Sequence, residues 1–392
     1  MTSPRRGTPD FMLLFLTFCL VCFGLAFVFS ATMAYEPGKP WATAGKQAIF
    51  IVIGTAAMLF CMNVDYRKFK KWVVPAMGAV VILLLLVPII GVERGGATSW
   101  IQISGGFTLQ PTEFAKVAVI IYLAALISRK EERIRDFQRG LIPPILIVAF
   151  IAMLIMLQPD LGSTMILVMS AALMIVVGGA EWKHLAILGA VGSFLLVIVI
   201  LVYFIATGGN THHMDRFTAF LDPWADPDVS GFQLIQSLYA LGHGGLTGAG
   251  FGQSVQKLHY LPEAHNDFIF PIIGEELGFF GTTLFLLLYL AFLWRGLIVA
   301  LRCSDTFGML AGVGIIGQIG IQAFINLGGV TGTIPLTGVT LPLISYGGSS
   351  MLATLISIGV LLSISREYNR QEKDVKKTSV DEVTRRQRWV AH

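Results

Sequence analysis

Asp267 lies where a long polar loop meets an apolar run, in LPEAHNDFIFPIIGEELG (261–278), with His265 and Asn266 beside it and five of the chain's seven histidines in the same loop. A carboxylate at such a boundary stays hydrated enough to ionise, yet reaches a substrate anchored in lipid, which suits it to general-base work. Glu263 in the same stretch could equally be a solvated loop residue, and Glu275 and Glu276 could satisfy buried backbone or a buried cation. A second cluster lies in QISGGFTLQPTEFAK. Pro111 at a helix start places Thr112, Glu113 and Lys116 in the first turns. Glu113 and Lys116, three apart, share a face, where they either pair with each other or offer a cation to an anionic group such as a pyrophosphate. Arg216 and Lys257 are further cations able to do the same, and Asp160 in QPDLG, also outer-facing, is either a site residue or a helix cap. GHGGLTGAGFGQS (242–254) lacks the G-x-x-x-x-G-K-[ST] pattern of a phosphate loop. Its glycines serve tight turns or close backbone approach to a ligand.

The elements that must hold these residues are membrane helices. Hydrophobic residues make up 55% of the 392-residue chain and charged ones 13%, with a mean hydropathy of +0.72. That excludes a soluble globular protein. A spanning helix needs roughly 20 mostly apolar residues. Runs of this kind cover 11–34, 46–64, 73–92, 112–128, 141–158, 161–180, 184–206, 268–294, 306–328 and 342–365. The expected fold class is therefore an all-α polytopic membrane protein with about ten transmembrane helices. Arg67, Lys68, Lys70 and Lys71 follow the second run, Arg129, Lys130, Arg133, Arg135 and Arg139 the fourth, Arg295 and Arg302 the eighth, and eight more basic residues lie between Arg366 and Arg388. The positive-inside rule puts these loops and both termini in the cytoplasm. The large loop 207–267, between helices 7 and 8, then faces outward. The organisation is a short cytoplasmic N-terminus (1–10), a membrane domain (11–366) and a basic cytoplasmic tail (367–392). The four cysteines lie in or beside apolar runs and outline no disulfide framework.

Two features break the apolar monotony. Residues 306–365 contain no Asp, Glu, Lys or Arg, yet 328–350 is rich in Gly, Pro and Thr. Such backbone at membrane depth must be buried in protein or line a wet cavity. Gln318, Gln322 and Asn326 recur every four residues as one polar stripe, either glue between helices or a cavity wall.

The runs WIQISGGFTLQPTEFAK, QPDLGST, RFTAFLDPW, GFQLIQSLYALGHGGLTGAGFGQSVQKLHYLPEAHNDFIFPIIGEELGFFG and TGVTLPLISYGGSS resemble the SEDS family of FtsW, RodA and SpoVE proteins. Thr340 before Leu341-Pro342 looks more like the FtsW and SpoVE branches than RodA. The resemblance implies a peptidoglycan glycosyltransferase of the bacterial cytoplasmic membrane that polymerises lipid II at its outer face, for a division septum or spore cortex. It implies a class B penicillin-binding protein as transpeptidase partner, with other divisome or cortex-synthesis membrane proteins, and no nucleic acid. By the family's motif Asp267 falls on its essential aspartate, with Asn266 where a threonine is usual. Thr98 stands where the family often has arginine before Trp100, so Arg94 or another cation would have to substitute. In this picture Asp267 is the general base for the acceptor 4-hydroxyl, with inversion at the donor, or else holds a divalent cation, Mg or Mn. Lys116, Arg216 and Lys257 would stabilise the pyrophosphate. Trp100, Glu113, Asp160, Glu263, His265, Ser345 and Ser349 stand as further candidate substrate contacts. Two other classes of function remain open at this stage: a lipid II flippase, which needs a hydrophilic path across the bilayer, and a non-catalytic scaffold that recruits the transpeptidase.

Overall fold

A computed structural model describes residues 7–33, 41–94, 97–103, 107–130, 136–181, 183, 184, 186 and 218–390. Ten α-helices are present among them: α1 Phe11–Thr32, α2 Ala42–Asn63, α3 Tyr66–Ile90, α4 Pro111–Lys130, α5 Ile142–Met156, α6 Leu161–Val177, α7 Phe232–His243, α8 Ile269–Leu301, α9 Thr306–Val330 and α10 Gly348–Val390. Eight are long and apolar enough to cross a membrane, α5 counted with the single π-turn Phe137–Leu141 before it, and α6 is a shorter apolar helix. These nine match nine of the ten expected spans. Nearly all of the tenth, 184–206, lies outside the described residues, as does 207–217 with Arg216.

Burial sorts the helices into a centre and a rim. In α4, α9 and α10, 78%, 72% and 83% of the most apolar stretch is buried, against 22% in α2 and 28% in α3. The rim presents large apolar side chains such as Phe18, Val52 and Ile89, as a lipid-facing surface should. Close approach at the centre depends on small residues. A Cβ on Gly359 of α10 would lie 2.5 Å from the Met58 carbonyl of α2, and one on Gly314 of α9 would meet Ile120 of α4 at 2.7 Å.

Aspartates fix where several helices begin. Asp10 accepts from the Leu13 amide at 2.9 Å and Asp305 from the Gly308 amide at 3.2 Å, each filling a donor that the first helical turn leaves unpaired. Asp10 also receives two hydrogen bonds from Arg295, at 3.1 and 2.7 Å, tying the start of α1 to the far end of α8. The N-terminal segment and the cytoplasmic ends of α8 and α10 thus share one face of the bundle, as the charge pattern requires.

Three details differ from expectation. Helix α3 starts at Tyr66, seven residues before the apolar run, because Asp65 caps it and its basic residues can reach water from the first turns. Residues within 91–109 form a small antiparallel sheet, β1 Gly91–Arg94, β2 Ala97–Ile103 and β3 Phe107–Leu109, in the order β1-β2-β3. Gly95-Gly96 and Gly105-Gly106 separate short runs rich in β-branched and aromatic residues, a hairpin pattern that hydropathy alone passes over. Helix α10 begins at Gly348 rather than 342 and continues through the tail to Val390, so no break marks 366.

The most informative irregularity lies inside α8. Gly278 has φ 65° and ψ −171°, which breaks the helix. Backbone of the glycine-rich loop covers the break: the Ala249 and Gly250 amides donate to the Glu275 and Glu276 carbonyls at 2.9 and 3.0 Å, and the Phe279 and Phe280 amides donate to Gly245 and Leu246 at 2.9 and 3.2 Å. The glycines of 242–254 therefore permit close approach to another backbone. A Cβ on Gly278 would sit 2.2 Å from the Gly248 nitrogen, and one on Gly248 would sit 2.2 Å from the Glu276 oxygen.

Gly278→Ala combines that clash with a left-handed backbone, so it should destabilise by about 2 kcal/mol or more. Gly45→Ala, in a helix where an added Cβ meets nothing within 4 Å, should leave stability unchanged or slightly raised. Apparent melting temperatures of the two purified variants in detergent check this.

Candidate active site

Asp267 sits half-buried two residues before α8, at the end of the bundle opposite the basic loops. Its position is set from its backbone: Asn326 of α9 donates through Nδ2 to the Asp267 carbonyl at 2.7 Å and to the Val339 carbonyl at 2.8 Å. One turn earlier, Gln322 donates to the Thr340 carbonyl at 3.0 Å and accepts from Lys116 Nζ at 2.8 Å. Lys116 completes its shell with Glu113 Oε1 at 3.0 Å. The polar stripe of α9 is thus glue of a specific kind. It fixes the start of α8, the irregular segment 331–347 and the cation of α4 to one rigid helix.

The irregular segment is held at each turn. Gln47, fully buried in α2, donates to the Ser345 carbonyl at 3.2 Å and accepts from the Gly347 amide at 3.3 Å. Ser345 Oγ accepts from the Leu341 amide at 2.8 Å, and Tyr289 donates to the Pro342 carbonyl at 3.2 Å. The Tyr346 amide donates to the His265 carbonyl at 2.9 Å, with the two rings 5.5 Å apart, so this segment and the Asp267 loop close on one another. Ser349 Oγ accepts from the Gln110 amide at 2.9 Å and donates to the Thr108 carbonyl at 3.3 Å, which joins the small sheet to the head of α10. Asp160 caps α6 through the Ser163 amide at 2.9 Å and accepts from the Gln110 side chain at 3.3 Å.

The two adjacent carboxylates of α8 divide their work. Glu275, fully buried, collects His243 Nδ1 at 2.8 Å, the amides of Val255 and Gln256 at 2.9 and 3.3 Å, and the Ser254 hydroxyl. Glu276 accepts from Lys257 Nζ at 2.8 Å and from Ser30 at 2.6 Å. One therefore satisfies backbone and the other a cation, and together they fasten the loop that runs on to Asp267.

The model of the cell cycle protein family of FtsW, RodA and SpoVE matches residues 11–370. The chain belongs to this family. It is 44% identical over 373 residues to stage V sporulation protein E of Bacillus subtilis, covering 94% of this chain and 100% of that one. It is 39% identical over 361 residues to the Probable peptidoglycan glycosyltransferase FtsW of Geobacter metallireducens, covering 91% and 94%. Among solved structures, a chain from a peptidoglycan synthase complex of polymerization and crosslinking aligns with a TM-score of 0.74 at 29% identity, over 92% of this chain and 98% of that one. The rod shape determining protein RodA of Thermus thermophilus aligns with a TM-score of 0.67 at 29% identity, over 92% and 97%. Family membership and the apolar helices make this a multi-pass protein of the bacterial cytoplasmic membrane.

Within this family fold, Asp267, His265, Glu113, Lys116 and Ser345 are tied together through α9 and the irregular segment, and Ser349 and Asp160 meet at Gln110. Trp100 lies half-buried on β2 opposite Val92, and Glu263 is exposed in the loop with φ 55°. Lys257 departs from its expected role: it is 3% exposed and held by Glu276 and Ser30, so it is an internal counter-ion rather than an open cation. Lys116, 1% exposed, is enclosed in the same way. Ser30 and Gln47 carry no motif. Their only signal is a polar side chain near the end of an apolar run, Gln47 beside Lys46 and Ser30 two residues before Thr32. Among the described residues no three His, Cys, Asp or Glu side chains cluster as metal ligands. Substrate phosphates and water would supply further oxygens to a divalent ion at Asp267, a donor set that Mg accepts.

Removing one member of a buried ion pair strands the other. Lys257→Met should therefore destabilise by about 3 kcal/mol, whereas the double variant Lys257→Met/Glu276→Gln should recover at least half of the loss. Denaturant titration of both proteins in detergent measures the difference.

Proposed function

We infer that this chain is a peptidoglycan glycosyltransferase that polymerises lipid II into β-1,4 glycan strands at the outer face of the cytoplasmic membrane. The observation that carries the reading is the placement of Asp267. It is a half-buried carboxylate at the outer end of the bundle, held by its backbone to α9 in a chain of the FtsW, RodA and SpoVE family. The lipid tail stays among the helices while the sugars occupy the polar mouth.

Asp267 takes the proton from the acceptor sugar's 4-hydroxyl as that oxygen attacks the donor's anomeric carbon, and undecaprenyl pyrophosphate leaves with inversion. In the alternative role, Asp267 would instead hold Mg or Mn, which would supply charge neutralisation for the pyrophosphate. Arg216 remains the proposed protein cation for the same group, since Lys116 and Lys257 are committed to Glu113 and Glu276. Those pairs act indirectly by fixing the walls of the mouth. His265 and Trp100 are the proposed contacts around the sugars and headgroup, with Glu263 and Asp160 at the rim, whereas Ser345 and Ser349 are buried and hydrogen-bonded within the wall of the mouth. A class B penicillin-binding protein is the proposed partner, in keeping with the peptidoglycan synthase complex that this chain resembles. Its transpeptidase would crosslink the new strand within a divisome or cortex-synthesis assembly.

Polymerisation of labelled lipid II by the purified chain, with and without the penicillin-binding protein, tests the reading. Asp267→Asn keeps size and loses basicity, so it should lower polymer formation by 10² or more, the contribution of a positioned general base. Polymer at wild-type level in that variant would remove Asp267 from the chemistry. Asn326→Ala frees the backbone beside the base, and should reduce turnover roughly 10-fold or more, with KM for lipid II little changed.

A further inference from the structure

At the end of the bundle opposite Asp267, a cavity of about 260 Å³ opens between the α2–α3 turn, the segment before α1, and α10. Its wall carries three cations, Lys68, Arg366 and Arg370, and two carboxylates, Asp65 and Glu367. Both carboxylates are already engaged. Asp65 accepts from the Arg67 amide at 2.9 Å, and Glu367 accepts from Arg370 Nη2 at 2.7 Å and Arg67 Nη1 at 3.4 Å. Arg366 is fixed in place by donating to the Gly7 carbonyl at 2.9 Å. Arg370 stays 31% exposed although Nη2 is bonded to Glu367. The three cations outnumber the two carboxylates, so the wall keeps a net positive charge that an anion would balance.

The surroundings indicate what kind of acceptor. Met62 and Asn63 of the cavity wall continue α2, whose Leu59 and Phe60 are 41% and 70% exposed. Lys68 and Trp72, four apart on one face of α3, are both exposed, Trp72 by 69%. Tryptophan on such a surface marks the level of the lipid headgroups. The cavity is thus a cationic recess at headgroup height, approached along an apolar helix face. Basic recesses between helices on the cytoplasmic side suit phosphate-bearing headgroups, and arginine forks match phosphate oxygens. A soluble acidic segment would use the charges but leave the apolar approach unexplained. At about 260 Å³ the space is large enough for a phosphate and its glycerol.

We propose that this cytoplasmic cavity binds the phosphate of an anionic phospholipid, with the acyl chains lying along the exposed face of α2. The purified full-length chain, in phosphatidylcholine nanodiscs with or without phosphatidylglycerol, provides the test through native mass spectrometry of retained lipid. Selective retention of phosphatidylglycerol is expected. Arg370→Gln and Lys68→Gln should each weaken retention about fivefold, the equivalent of about 1 kcal/mol per basic residue at a membrane surface. Arg129→Gln, an exposed cation outside the cavity, should leave it unchanged. Equal retention of both lipids, or equal loss in the Arg129 variant, would overturn the proposal in favour of diffuse surface attraction. Inorganic phosphate that raises the melting temperature in phosphatidylcholine discs as much as phosphatidylglycerol does would assign the site to a soluble anion and overturn it too. So would an acidic peptide that binds in those discs while phosphatidylglycerol is not retained. Should Arg370→Gln fail to fold, the exposed Lys68→Gln decides the matter.

Discussion

Irregular backbone at membrane depth must find hydrogen bonds inside the protein, because hydrocarbon offers none, and the outer half of this chain is arranged around meeting that demand. Residues 331–347 leave helical geometry between two central spans. Their carbonyls and amides are taken up by Gln322 and Asn326 of α9, Gln47 of α2 and Tyr289 of α8. None of these groups is charged, so the segment stays inside the bundle without the desolvation cost of an ion. One of these side chains, Asn326, also holds the Asp267 carbonyl, so the irregular segment and the start of α8 share a contact.

The break at Gly278 answers the same constraint by another means. Interrupting α8 frees carbonyls at Glu275 and Glu276 and amides at Phe279 and Phe280, and a glycine-rich loop supplies both kinds of partner. With the loop drawn in so closely, two buried carboxylates hold its next turn, one through backbone amides and one through Lys257. Their charge is balanced locally, which allows them to exist at that depth. A rigid platform beneath Asp267 results. The opposite, cytoplasmic face is organised differently. Arg295, Arg366 and Arg370 bind the N-terminal segment and α10 through carboxylates and carbonyls, which leaves that end cationic.

The family reading and the geometry support each other at different levels. Similarity across 94% of the chain to a sporulation protein, and to FtsW proteins named as glycosyltransferases, speaks to the reaction. The contacts say which of the polar side chains are buried and committed to partners within the protein. Lys116 and Lys257 illustrate the division, for a resemblance carries both as substrate cations, while their burial and pairing make them parts of the wall.

Sequence by itself determined the membrane class, nine of the spans, the sidedness and the prominence of Asp267, because hydropathy, charge bias and a loop-to-helix boundary are local properties of a chain. It also exposed the polar stripe of α9 and the Glu113–Lys116 face, both consequences of helical periodicity. Only the tertiary structure decided that Glu276 neutralises Lys257 across nineteen residues, that Gln47 reaches Ser345 over 298, and that the glycine loop closes on a broken helix. The small sheet likewise escaped the hydropathy pattern, since its strands are short and its register depends on pairing. Partners distant in sequence meet only when helices pack, and no local pattern records which polar group will satisfy which.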